Sequence, residues 1–192
     1  MRPTERAENL RSKQTTNKPR QDTRRPPIRI DLVIEIPASQ GRVFSYLSDL
    51  ENNPHWNWAV AATTPLHAGP PRQGSRFLQQ RTVPRPGGDV LEITGYRPDT
   101  LLEVSSRLEE GEVRYRYELA PLDAEQTRVC VTVELDSSDH MDRTDLYAAR
   151  MGAAIAANLE NLRRVVTEVD PTTTQPEVSS GPERGKRLWS GR

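Results

Sequence analysis

The segment Ile34 to Trp58, IEIPASQGRVFSYLSDLENNPHWNW, restricts the fold more than any other part of the chain. It completes a run in which Ile28, Ile30, Leu32, Ile34 and Ile36 alternate with Arg29, Asp31, Val33 and Glu35. Such period-two alternation marks a strand with one face in a core. Pro37 ends it. Ser39 stands where a helix N-cap is needed, ahead of a helix from about Gln40 to Ser48 with Val43, Phe44 and Leu47 on its inner stripe. Asp49 to Trp58 reads as a turn and a second short helix. A helical insertion therefore follows the first strand directly.

Strands then recur at short intervals. Val60 to His67 and Ser75 to Val83 are two, with Gly69-Pro70-Pro71 breaking the chain between them. Pro86-Gly87-Gly88-Asp89 is predicted to be a hairpin turn. Val90 to Tyr96, Leu101 to Leu108, Glu112 to Leu119 and Arg128 to Leu135 follow, joined by short turns. Val113, Tyr115, Tyr117 and Leu119 share one face, as do Val129, Val131, Val133 and Leu135. This regular spacing predicts an antiparallel meander. The period then changes. Met151, Ile155, Leu159, Leu162, Val166 and Val169 fall at helical spacing, on one face of a long helix that Asp142 or Thr144 would cap. Its first half is rich in alanine, which allows either close approach to a sheet or room beside it.

Charge separates the tails from the middle. Residues 1–27 carry eight Lys or Arg and three acids, while 28–169 carry fifteen Arg, no Lys and twenty-one acids. Residues 1–27 and 170–192 hold too little apolar surface to offset chain entropy, so both are expected to be disordered tails. The domain is expected at 28–169, long enough for a core. The basic N-terminal tail lacks the interleaved aromatics that stack on bases, so nucleic acid is not an expected partner. Cys130 is the single cysteine, which excludes an intramolecular disulfide. With no apolar run of signal-peptide or membrane-span length, a soluble cytoplasmic protein is expected, monomer or homodimer.

The arrangement of Ile36-Pro37, Val43-Phe44, Asp49 and Trp56, followed by Gly74-Ser75-Arg76-Phe77, Tyr96-Arg97-Pro98 and the helix around Asn158-Leu159-Glu160-Asn161-Leu162, resembles the START-like (SRPBCC) superfamily, in its polyketide cyclase/dehydrase-like branch. The resemblance spans about residues 28 to 169. It implies an α+β helix-grip fold: a curved antiparallel sheet of about seven strands wrapped on the C-terminal helix, with two short helices after strand 1. It also implies a pocket with scattered polar groups rather than a fixed catalytic motif.

The residues supply candidates for such a pocket. Trp56 and Trp58 sit in the helical roof, where they either pack the roof onto the sheet or stack on a flat ligand. Tyr115 and Tyr117 are core or cavity wall, with hydroxyls able to orient a ligand carbonyl or donate a proton. Phe77, Gln79 and Arg81 share a face. If that face is inward, Arg81 can hold a carboxylate or enolate; in the opposite register it lies in water. His67 is a general base or a surface histidine. Met151 and Ile155 present the helix to the cavity. Arg114, Arg116 and Glu118 read as a solvated sheet face. No metal signature is present, and no cofactor is expected.

Three functions follow as expectations. The first is binding of a small hydrophobic, polycyclic or polyketide-like ligand between the sheet and the C-terminal helix, in a cavity of roughly 300 Å³. The second is a polyketide cyclase/dehydratase, with Arg81, Tyr115 and His67 promoting enolisation and loss of water. The third is a non-enzymatic regulatory protein whose tails recruit a partner.

Overall fold

The computed structural model describes residues 27–83, 85–108, 111–137 and 145–168. Strand β1 (Ile28–Ile36) leads into helix α1 (Gln40–Ser48), a 3-10 turn (Leu50–Asn52) and the short helix α2 (Asn53–Trp56). Six strands follow: β2 (Val60–Pro65), β3 (Arg76–Arg81), β4 (Gly87–Arg97), β5 (Leu101–Leu108), β6 (Gly111–Pro121) and β7 (Thr127–Ser137). Helix α3 (Asp145–Glu168) is the last described element.

All seven strands form one curved, open sheet in the order β1-β7-β6-β5-β4-β3-β2. Every pairing is antiparallel. The first strand closes against the last, so β1 and β2 are the edges. Register irregularities between Val60 and Ala62 and between Ile93 and Gly95 interrupt the ladder. Bulges of this kind add local twist, which helps the sheet curl. The period-two pattern of β1 therefore ends up paired residue by residue, with Ile34 opposite Val129 and Ile30 opposite Val133.

The inner face of the sheet holds the core. Ile36, Ile93, Leu102, Val129 and Val133 have no solvent exposure. The roof meets it through Val43, Phe44 and Leu47 of α1, all buried. Each such side chain contributes about 1.5–3 kcal/mol through removal from water. Hydrogen bonds then fix the roof's position. Thr127 Oγ1 donates to the Ala38 carbonyl at 2.8 Å, and Gln40 Nε2 donates to the Leu119 carbonyl at 3.1 Å. Asp49 makes the turn after α1: its carboxylate accepts from the Glu51 backbone N–H at 3.2 Å.

Helix α3 is unevenly packed. Leu159, Leu162 and Val166 in its second half are buried. In its first half Met151 and Ile155 are only partly buried, and Leu146 and Tyr147 are exposed. At Gly152 an added Cβ would lie 3.7 Å from Ile30 Cγ2, so a small residue there allows close approach to β1.

Two local expectations are corrected. Gly87-Gly88-Asp89 is not a turn. Gly87 pairs with Arg81 and Gly88 with Gln80, so these glycines belong to β4 and the reversal falls at 82–86. Pro86, which lacks the N–H a ladder needs, marks that reversal better than the glycines. Ser39 occupies the N-cap position with extended backbone, but its side chain makes no cap hydrogen bond. Asp142, Thr144, Val169 and the expected tails, apart from Pro27, lie outside the described residues.

Candidate ligand-binding site

The inner faces of β3, β4, β5 and β6 and the underside of the roof enclose a small cavity. Leu47, Leu50, Leu91, Leu102 and Val104 give it apolar walls. Asn53, Trp56, Asn57, Gln79, Tyr115 and Tyr117 add polar groups. Strand alternation puts them there: Gln79 faces in because Phe77 and Arg81 do, and Tyr115 and Tyr117 face in with Val113 and Leu119. The cavity measures about 50 Å³. The expectation of a ligand-sized space is not met, because Leu47, Leu50 and Trp56 of the roof pack down onto the sheet wall. A space of this size holds a water or two.

Polar contacts order the wall. Asn53 Nδ2 donates to Gln79 Oε1 at 3.4 Å. Asn158 of α3 donates from Nδ2 to Asn57 Oδ1 at 3.0 Å, and its own Oδ1 accepts from the Trp58 backbone N–H at 3.3 Å. Tyr115 and Tyr117 stack nearly parallel, with ring centroids 6.5 Å apart.

Arg81 turns inward rather than into water. It forms a two-pronged ion pair with Asp89, Nε to Oδ2 and Nη2 to Oδ1, the latter at 3.1 Å. The Asp89 side chain is 7% exposed and that of Arg81 22%. Burial raises the Tyr115 hydroxyl above its ordinary pKa, with Tyr147 and Asp89 adding to the effect and Arg81 opposing it. This coupling brings Arg81, Asp89, Tyr115 and Tyr147 into one electrostatic neighbourhood. Burial also raises the Tyr117 hydroxyl strongly. Both phenols are therefore protonated donors at neutral pH.

Asp89 was missed because its strand was expected to start only at Val90. Its signal was present: Asp89, Leu91 and Ile93 alternate in phase, and all three are buried. An acid in phase with a buried face implies a nearby cation, and Arg81, diagonal to Asp89 across the β3–β4 ladder, is that cation.

The remaining candidates scatter. His67 lies apart, in a surface cleft of about 260 Å³ with Ser45, Asp49, Glu51 and Phe77. Its Nδ1 is 3.3 Å from the Arg76 carbonyl and its ring meets Phe77 edge-on. Phe77 is a buried core residue that lines this cleft and not the inner cavity. Trp56 is 6% exposed and lines the cavity, whereas Trp58 is 53% exposed and does not. Met151 and Ile155 pack against the core without lining the cavity as it stands. Arg114, Arg116 and Glu118 lie on the outer face in surface ion pairs, Arg116 bridging Glu103 and Glu118. Among the described residues no cluster of His, Cys, Asp or Glu could hold a metal ion, and no helix is long and apolar enough to cross a membrane.

Comparison with known proteins agrees with this geometry. The model of the family "Polyketide cyclase / dehydrase and lipid transport" matches residues 27–167. The chain belongs to that family, within the START-like superfamily. A START superfamily protein from Mycobacterium smegmatis superposes with a TM-score of 0.65 at 16% identity, covering 74% of this chain and 99% of that one. The Zhui aromatase/cyclase from Streptomyces sp. R1128 superposes with a TM-score of 0.58 at 14% identity, covering 72% and 93%. Likeness at this level of identity establishes the helix-grip fold. No curated protein sequence matches the chain.

Proposed function

We propose that the domain binds a small, mostly apolar ligand between the inner face of the sheet and α3. One observation carries this reading. An apolar wall of Leu47, Leu50, Leu91, Leu102 and Val104 is interrupted by an inward set of polar groups, Gln79, Tyr115 and Tyr117, with the Arg81–Asp89 pair beside them. Apolar walls with a few convergent polar groups are the usual make-up of small-molecule sites. On this reading a ligand enters by widening the 50 Å³ cavity. Widening falls to the first half of α3, whose apolar residues are the least buried of the helix. The test is calorimetric titration of the whole chain with naphthalene- and anthracene-derived ligands. Saturable one-to-one binding is expected; absence of heat and of any thermal shift across the panel overturns the reading.

A second reading, cyclisation of a poly-β-keto chain with loss of water, is favoured by the grouping of Tyr115 with Arg81. A protonated phenol within electrostatic reach of a guanidinium can donate to a ketone oxygen while the cation stabilises the enolate that forms. His67, in its separate cleft, has no part in this version. Turnover of a synthetic poly-β-ketone that is lost in Tyr115→Phe while ligand affinity persists would support it. Equal turnover by wild type and Tyr115→Phe counts against it.

A further inference from the structure

We infer that Trp56 sets the ligand's chemistry: its indole N–H takes an acceptor oxygen, such as a ketone carbonyl, so the site prefers oxygenated ligands to hydrocarbons of the same shape. This rests on the ligand-binding reading above and goes beyond it by naming the group recognised.

The argument is one of donors and acceptors around the cavity. Trp56 is 6% exposed and lines it, and its Nε1 has no hydrogen-bond partner among the described residues. An indole N–H is a donor only, so nothing but an acceptor can satisfy it. The side-chain carbonyls nearby are already engaged. Asn57 Oδ1 accepts from Asn158 Nδ2 at 3.0 Å and from the Ala59 N–H at 3.1 Å. Gln79 Oε1 accepts from Asn53. The Gln79 amide group is thereby oriented with its nitrogen as the remaining donor. Two further buried hydroxyls, outside the cavity lining, have no partner among the described residues either. Thr63 Oγ1 lies cross-strand from Gln79, and Ser106 Oγ cross-strand from Leu91. Both residues are at least nine-tenths buried. The Trp56 N–H is thus a buried donor at the cavity that only an acceptor can satisfy. A hydrocarbon that fills the cavity leaves this N–H unpaired; a ligand carbonyl pairs it.

The experiment compares 2-acetylnaphthalene with 2-ethylnaphthalene, which share shape and differ in one oxygen, by titration calorimetry against wild type and Trp56→Phe. Phenylalanine keeps an aromatic ring and removes the N–H. In wild type the ketone is expected to bind about tenfold more tightly, the equivalent of one net hydrogen bond. In Trp56→Phe that gap is expected to close through loss of ketone affinity alone. The Trp56 indole ¹H–¹⁵N resonance should move downfield with the ketone and not with the ethyl compound. A gap that survives in Trp56→Phe, or an indole resonance indifferent to the ketone, overturns the inference while leaving ligand binding intact. If neither compound binds wild type, the underlying reading falls and this one with it. Should Trp56→Phe fail to fold, the wild-type indole resonance decides alone.

Discussion

Asn158 of α3 and Asn57 of the roof are joined side chain to side chain by a hydrogen bond of 3.0 Å. The same Asn158 accepts from the backbone of Trp58 through its other amide atom. One buried amide thus ties the loop after α2 to the helix just past its midpoint. C-terminal to this tie, Leu159, Leu162 and Val166 anchor α3 in the core. N-terminal to it, the helix is held more loosely.

Asn158→Ala is therefore expected to destabilise the domain by about 1–3 kcal/mol, the cost of leaving buried polar groups unpaired. Urea denaturation gives the value. Hydrogen exchange at the amides of Trp58 and Ala59 should quicken more than at β7. Uniform exchange across the domain would show that the amide is not a local fastener.

The two halves of α3 should answer truncation differently. Leu162→Ala removes a fully buried side chain and is expected to cost about 2–5 kcal/mol. Met151→Ala, at a partly buried position, should cost clearly less and raise the affinity for bulky ligands. Equal losses by thermal denaturation would mean that α3 is anchored evenly and the proposed route of widening is wrong.

Arg81→Met takes from Asp89 its cationic partner while the carboxylate stays buried. A loss of about 3 kcal/mol is expected, the lower end for breaking a buried pair, because Arg81 itself is partly solvated. Replacing both, as Arg81→Met with Asp89→Leu, should recover most of that stability without recovering affinity for an oxygenated ligand. A double variant as unstable as the single one would show that the ion pair is not the source of the loss.

Alkaline pH should unfold the domain early. The hydroxyls of Tyr115 and Tyr117 are raised by burial in the folded state. In the unfolded chain they ionise near the ordinary value of about 10. Between those values the unfolded state has released protons that the folded state retains, so stability falls as pH rises above about 10, by up to ~1.4 kcal/mol per unit for each tyrosine. Below about 10 these groups leave stability unchanged. Denaturation curves from pH 8 to 11.5 measure this, and Tyr117→Phe should flatten the fall. An unchanged slope in that variant would remove Tyr117 as its cause.

Much of the fold is written in local pattern. The alternation Ile28 to Ile36, the run Val113 to Leu119, and the helical spacing of Leu159, Leu162 and Val166 all name an element and its buried face, because solvent exposure repeats with the geometry of the element itself. The helical insertion ended by Trp56 could be placed for the same reason. The site was legible only in part. Whether the face shared by Phe77, Gln79 and Arg81 points inward depends on which residues of β4 lie opposite, and the glycines at 87 and 88 suggested a turn where there is ladder. That single misplacement hid Asp89 and with it the partner that makes an inward Arg81 tolerable.

By itself, then, the sequence determined the elements and their order, since each follows from residues close together in the chain, and its resemblance to the START-like superfamily implied the helix-grip fold. Only the tertiary structure decided what meets what. It put Tyr115 within electrostatic reach of the Arg81–Asp89 pair, sent His67 to a separate cleft, left the Trp56 N–H without an acceptor among the described residues, and held the cavity to about 50 Å³. Those outcomes depend on strand register and on how closely α3 approaches the sheet. Both are set by packing between residues far apart in sequence, to which local periodicity is blind.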